Sequence, residues 1–361
     1  MLADRLYTAA IQEPMHFAFD TVLASTRLRL CRGMLGLLVA VASVSVLSQI
    51  DAETLDALNS SAVRLIQTNY HNWPDSILMS NGKVEVVIVP AIGRVMQFKF
   101  MREDEGPLWN NQKLAGRATD PNSAEWSNFG GDKTWPAPEA DWSKFTNRSW
   151  PPPPAFDSMP VHATLGQGMV TLVSPVDPFY GIRTHRQITL VPDKPIMRIE
   201  TTYEKVEGDP KHVAVWIITQ VRNTIGVYLA VPPSSIFPGG CTNQSRKLPP
   251  SLRVEKGLLS LARDSKGAFK IGSDADALLW VGEKTALLIE SPRTGTGDYP
   301  DHGCSAEVYT NPDALPYVEM ELLGPLHTMK VGDRIQCSST YTLFHRAEAS
   351  SEAEARRILG R

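Results

Sequence analysis

Charge is sparse and unblocked in this sequence: 36 Lys and Arg stand against 39 Asp and Glu, the formal net charge is −3, and no run of five or six like charges occurs. That excludes the basic footprint of a nucleic-acid binder and a polybasic membrane patch, and favours small, neutral or weakly charged ligands. Cysteine is scarce as well. Of four, Cys31 lies in an apolar N-terminal stretch, which leaves Cys241, Cys304 and Cys337: an odd set that permits one disulfide and matches no Cys-x-x-Cys or Cys/His zinc spacing. No metal and no cofactor is expected. There is no Gly-x-Ser-x-Gly elbow, no Walker loop and no His-Glu-x-x-His, and Gly295-Thr296-Gly297 lacks the strand and helix of a dinucleotide fingerprint. No apolar run reaches the ~18 residues of a membrane span.

The apolar run that does occur, Met34 to Leu47, follows the basic stretch Arg27-Leu-Arg-Leu-Cys-Arg-Gly33 and precedes Ser48-Gln49. This order is that of a secretory signal cleaved near Ser48-Gln49, and it predicts a secreted or periplasmic protein with no membrane span after cleavage. The acidic, mixed residues before it suggest a start at Met15 or later. Residues 1–50 are therefore set aside as signal and upstream extension, and residues 51–70 read as a short amphipathic helical lead-in.

From there the pattern is that of strands. Val84, Val86 and Ile88 alternate along 84–89, Pro90 to Gly93 turns the chain, and 95–100 runs back. Further strands are predicted at 169–174, 182–191, 196–204, 212–222, 226–231, 258–262, 277–282, 285–290, 304–310, 316–323 and 335–345. Short strands without helical periods between them predict an all-β sandwich or barrel. One segment breaks the rhythm: residues 101–168 are rich in Trp, Pro, Asn and Gly. Trp109, Trp126, Trp135, Trp142 and Trp150 argue for an ordered loop system. A single β domain over 71–348 and a tail at 349–361 complete the organisation.

Three constellations carry possible chemistry. In Gly130-Gly131-Asp132-Lys133-Thr134-Trp135-Pro136-Ala137-Pro138-Glu139, glycines and prolines fix a stiff loop that presents Asp132, Lys133 and Trp135, suited to a pyranose face and its hydroxyls. The alternative is a structural loop whose charges pair locally. In Tyr317-Val318-Glu319-Met320-Glu321-Leu322, strand alternation puts Glu319 and Glu321 on one face, either plain solvent surface or a general base. Glu307 and Tyr309 share a strand face in the same way, and Trp216 shares one with His212 and Gln220; both are sugar-platform candidates, with a core role the alternative for Trp216. His302 precedes the strand of Glu307 and Tyr309, and His185, facing opposite to Ile182 and Ile188, reads as a hydrogen-bonding surface residue or, alternatively, an acid catalyst.

Residues 81–95, through Ile92-Gly93-Arg94-Val95, resemble the first hairpin of the galactose mutarotase-like superfamily, and Glu319 to Asp333 resemble its last strands. The span 70–345 resembles a bacterial family of unknown function within that superfamily, marked by the Gly-Gly-x-Lys-x-Trp-Pro-Ala-Pro segment at 130–138. The resemblance implies a supersandwich of large antiparallel sheets that binds a saccharide on a concave face, with Arg94 among the binding residues. It implies a late-strand glutamate base, Glu321 or Glu319. The acid histidine of aldose mutarotases has no counterpart after 212–219, so His185 or His302 would stand in. The function expected is saccharide binding with epimerase-like acid/base chemistry at the anomeric centre. A non-catalytic binding module, or glycoside cleavage by Glu307 with Glu321, are the alternatives.

Overall fold

The computed structural model describes residues 63–361 apart from 121, 122, 124, 295 and 296. The stretch expected to be a signal segment and the first part of the expected lead-in lie outside the described residues. The strands are, in chain order, Arg64–Tyr70 (β1), Trp73–Ser80 (β2), Val84–Val89 (β3), Arg94–Phe100 (β4), Asp132–Ala137 (β5), His162–Leu165 (β6), Met169–Val173 (β7), Ile182–Leu190 (β8), Ile196–Lys205 (β9) and Lys211–Arg222 (β10). There follow Gly226–Ala230 (β11), Thr242–Asn243 (β12), Arg253–Glu255 (β13), Leu258–Leu261 (β14), Phe269–Ser273 (β15), Ala277–Val281 (β16), Thr285–Glu290 (β17), Ala306–Thr310 (β18), Tyr317–Leu323 (β19), His327–Met329 (β20) and Arg334–His345 (β21).

They form two antiparallel sheets. The first has the order β1-β2-β3-β4-β5-β10-β19-β18-β15-β12, with β20 added to β10; the second runs β13-β14-β11-β16-β17-β21-β9-β8-β7-β6. The core lies between them, because period-2 alternation turns one face of each strand inward. Ile217 and Val221 of β10, Val318, Met320 and Leu322 of β19, and Ala306 and Val308 of β18 meet Ile188, Ile199, Leu287, Tyr341 and Leu343 from the second sheet in one buried cluster. Each large aliphatic side chain buried there contributes roughly 1.5–3 kcal/mol.

Several expectations need correction. Residues 64–70, expected as the end of a helical lead-in, are strand β1, paired with β2 from Arg64 opposite Ser80 to Tyr70 opposite Trp73. The stiff loop at 132–137 is strand β5, buried along its whole length and paired with β10 from Ala214 opposite Ala137 to Thr219 opposite Asp132. Pro136 hid it, since proline argues against a central strand. The strand tolerates proline because its pairing to β4 covers only Asp132 opposite Val95, so beyond that point β5 is bonded on one side. The three thiols in the described residues are free. The tail at 349–361 holds a helix, Ser351–Leu359, which Ser350 caps by accepting from the Ala353 amide and Gly360 ends at φ 66. Its Ala355, Ile358 and Leu359 cover Leu279, Ala286 and Leu288 on the outer face of the second sheet.

Candidate active site

The outer face of the first sheet is where unlike chemistries gather. Gly130 and Gly131 start it: both have positive φ (+90° and +72°), and a Cβ would lie 2.1 Å from the Trp109 carbonyl oxygen at the first and 2.5 Å from that of Val95 at the second. Only glycine lets the chain pass this closely between β4 and the Trp109 backbone. The chain then enters β5, where Asp132 turns inward and Lys133 and Trp135 turn outward. The register aligns Lys133 beside Ile218, Trp135 beside Trp216, Glu321 beside Ile218, and Glu319 beside Gln220. Glu307 and Tyr309 of β18 stand opposite Glu321 and Glu319, and Lys270 of β15 stands opposite Tyr309.

Two ammonium groups organise these acids. Lys133 is 1% exposed; its Nζ lies 3.5 Å from Glu319 Oε1, makes no hydrogen bond among the described residues, and sits 4.6 Å from the Trp135 ring centre and 5.7 Å from that of Trp126. Burial, opposed in part by Glu319, lowers its pKa to about 8. Lys270 lies 2.8 Å from Glu307 Oε2 and 3.0 Å from Glu321 Oε2, over the Trp216 ring at 4.6 Å. Against desolvation, those two carboxylates raise its pKa well above the ordinary value.

One ammonium cannot neutralise two carboxylates. Glu321 is 1% exposed and accepts from Trp216 Nε1 at 2.9 Å. Desolvation raises its pKa well above the usual range, Lys270 opposes the rise, and Glu307 and Glu319 add to it. Glu307 is buried and also accepts from Gln244 Nε2. Glu319 differs. Its Oε1 accepts from Gln220 Nε2 at 2.8 Å and faces Lys133, whereas Oε2 has no partner among the described residues. At 8% it is also the most exposed of the three strand acids.

Two further acids are electrostatic neighbours of Lys270 and Glu307. Glu139 is a surface residue whose carboxyl is crowded by protein, and desolvation together with Glu319 and Glu307, opposed by Lys270, holds its pKa above the usual range. Asp301 is raised to about 6, by desolvation first and then by Glu307.

Behind Lys133 a single carboxylate fixes the aromatic wall. Asp157 Oδ1 accepts from Arg94 Nη2 at 2.7 Å and from Trp135 Nε1 at 2.8 Å, and Oδ2 accepts from Trp126 Nε1 at 3.0 Å. A cavity of about 20 Å³ beside Trp126 and Asp157 has room for about one water molecule.

Of the sequence candidates, the structure brings together Lys133, Trp135, Trp216, Glu307, Tyr309, Glu319 and Glu321. It places four elsewhere or in other roles. Asp132 faces the inter-sheet core, where it pairs with Arg186 and accepts from Thr219 at 2.7 Å and Tyr341 at 2.6 Å, because strand alternation sends it opposite to Lys133. Arg94 is fully buried on Asp157 and the Gly130 carbonyl, so it is no ligand for a sugar. His185 belongs to the second sheet and binds Glu204 at 2.7 Å, far in topology from Glu319, and cannot serve as its acid partner. His302 is exposed beside Asp301 and reaches no strand acid by hydrogen bond. Trp135 and Trp216, at 3% and 2% exposed, are packed edge to face and offer no free ring to a pyranose. Half-buried Trp126 and Tyr309 and exposed Trp150 are the open aromatics. Lys270, Asp157 and Asp301 carried no signal as site residues. For Lys270, strand β15 is short and its alternation, Phe-Lys-Ile-Gly-Ser, is weak; reading it as a strand would have put Lys270 on the polar face.

No protein-family model matches the chain and no curated protein matches it. Solved structures do share its fold. A galactose mutarotase-like protein from Lactobacillus casei superposes with a TM-score of 0.50 at 9% identity, covering 74% of this chain and 100% of that one. A protein of Synechocystis sp. gives 0.51 at 10% identity, over 79% of this chain and 98% of that one. A TPR-domain containing protein from Parabacteroides distasonis gives 0.51 at 14% identity over 76% of this chain, which spans about half (48%) of that longer protein. Identities this low bear on architecture alone. The chain thus has the galactose mutarotase-like fold, two large antiparallel sheets packed face to face.

Proposed function

We propose that this chain binds a reducing saccharide over Glu319 and interconverts its anomers, with Glu319 as the base. The observation that carries the reading is the state of that carboxylate: one oxygen is held by Gln220 and Lys133, and the other has no partner among the described residues. A base needs an ionised, reachable oxygen. Glu319 takes the proton of the anomeric hydroxyl as the bond from the anomeric carbon to the ring oxygen breaks. The ring oxygen takes a proton from Glu139, whose carboxyl keeps one above the usual range. Rotation about the bond to the next carbon, and reversal of both transfers, gives the other anomer. Glu321, buried and held by Trp216 and Lys270, supports the wall instead.

Glycoside cleavage by Glu307 with Glu321 has less support, since both carboxyls are buried and are held by one ammonium. The apolar run at 34–47 adds export to the reading, and the segment at 130–138 adds membership of the family it resembles; sequencing the N-terminus of the secreted product would check the first.

The test is anomer exchange followed by NMR or polarimetry. Glu319→Gln is expected to keep saccharide binding and lose roughly 10²–10⁴-fold in exchange. If Glu319→Gln exchanges anomers at the wild-type rate, the assignment of the base is wrong; binding without exchange by the wild type would make the protein a non-catalytic module.

A further inference from the structure

We propose that Lys133 and Gln220 are specificity-determining residues that together read one hydroxyl of the saccharide, the one on the carbon next to the anomeric centre. The inference rests on the reading of the Glu319 face as a saccharide site and adds which part of the ligand is recognised there. Its basis is a pair of buried polar atoms left open in opposite senses. Lys133 Nζ and Gln220 Oε1, on side chains of residues 1% and 0% exposed, have no hydrogen-bond partner among the described residues. The first can only donate and the second can only accept. Both side chains meet the same carboxylate: Glu319 Oε1 accepts from Gln220 Nε2 at 2.8 Å and lies 3.5 Å from Lys133 Nζ. The strand register keeps the two together, since Lys133 stands opposite Ile218, the residue before Gln220 on the same face of β10.

Buried polar groups are nearly always satisfied, and leaving one open is costly. An open donor and an open acceptor beside one carboxylate call for a guest that accepts and donates at once. A hydroxyl does both: its oxygen accepts from Lys133 Nζ and its hydrogen goes to Gln220 Oε1. An ether oxygen only accepts and would leave Gln220 open. An ammonium only donates and would stand beside a second ammonium, whereas a carboxylate only accepts and would stand against Glu319.

Which hydroxyl this is follows from where Glu319 acts. Its Oε2 takes the anomeric hydroxyl, and Lys133 and Gln220 gather about its other oxygen. In a reducing sugar two groups flank the anomeric hydroxyl, the ring oxygen and the hydroxyl on the next carbon. The ring oxygen has no hydrogen to give, so it cannot satisfy Gln220 Oε1; the neighbouring hydroxyl satisfies both open atoms. Glu319, at 8%, is the least buried of the three residues and marks the side from which the ligand reaches them.

The experiment is titration calorimetry of the full chain with D-glucose and D-galactose, each beside its 2-deoxy, 3-deoxy and 2-deoxy-2-fluoro analogues. The 2-deoxy sugars are expected to bind on the order of 10²-fold more weakly than their parents, because both buried atoms are then left open in the complex. The 3-deoxy sugars should lose distinctly less. The 2-fluoro sugars keep an acceptor for Lys133 and lack a donor for Gln220, so they should fall between parent and 2-deoxy. In Gln220→Met and in Lys133→Met the ratio of parent to 2-deoxy affinity should fall about tenfold. A merely structural role would weaken both sugars alike, leave that ratio unchanged and overturn the inference. The comparison of sugars on the wild type needs no variant and decides the matter if a variant does not fold. Equal affinities of parent and 2-deoxy sugar there, or a loss at the 3-position as large as at the 2-position, would overturn the inference and leave the saccharide site standing. Silence from all the sugars would overturn both readings.

Discussion

The two halves of the site use the same residue types and reach opposite states. Around Lys133 one ammonium meets one carboxylate, Glu319, at 3.5 Å, and the acid keeps an oxygen free. Around Lys270 one ammonium meets two buried carboxylates at 2.8 and 3.0 Å above the Trp216 ring, and desolvation pushes the Glu321 pKa well above the usual range. Glu319 and Glu321 are two residues apart on the same strand face, so backbone placement does not separate them. What separates them is the number of acids per cation and the cover above. A buried charge is tolerated only when matched, and an unmatched one is neutralised by protonation.

Removing the shared cation tests this most severely. Lys270→Met leaves Glu307 and Glu321 facing each other without a counter-charge, and urea denaturation near neutral pH should show a loss of about 3–5 kcal/mol. The loss should shrink as pH falls and the two carboxyls take up protons. A variant equally destabilised at acidic and neutral pH would show that packing, not charge, is the cause.

The other half should behave differently, because Lys133 has a lowered pKa. Between about 8 and 10.5 the folded protein has lost this proton and the unfolded chain still holds it, so stability rises with pH through that window. Relative to Lys133→Met, the wild type should gain on the order of 3 kcal/mol there. Denaturation curves at pH 7.5 and 10.5 for both proteins isolate the difference; parallel behaviour would remove the claim that the ammonium is buried at a cost.

The smallest effect is expected where the comparison is sharpest. Glu321→Gln substitutes a neutral amide for a carboxyl whose raised pKa favours its neutral form, keeps an acceptor for Trp216 Nε1, and should change stability by less than about 1 kcal/mol. A loss several times larger would mean that Glu321 is ionised in the folded protein.

Much of this was legible beforehand, and for one reason. Alternation of apolar and polar residues placed β3, β4, β7 to β11, β14, β16 to β19 and β21, and it put Glu319 and Glu321 on one face of their strand and Glu307 and Tyr309 on one face of theirs. Where alternation was masked, sequence reading failed. Proline hid β5, two residues are too few to read as β12, and β1 combined a polar sequence with an edge position. Pairing partners were harder still. Asp132 and Lys133 are adjacent and charged, and nothing local reveals that one clamps Arg186 while the other faces Glu319; that follows only once β5 is known to be a strand. Arg94 needed Asp157, some sixty residues on, to explain it.

That division of β5 makes the strand a lever with two ends. Asp132 is tied to Arg186 and Tyr341 of the opposite sheet, and the next residue carries the ammonium beside the proposed base. The working group is thus registered from behind: any shift between the sheets is transmitted through one peptide unit to the distance between Lys133 and Glu319. Variation at Arg186, on the far side of the core and out of a ligand's reach, can tune the site as a set-screw tunes an instrument from outside its case.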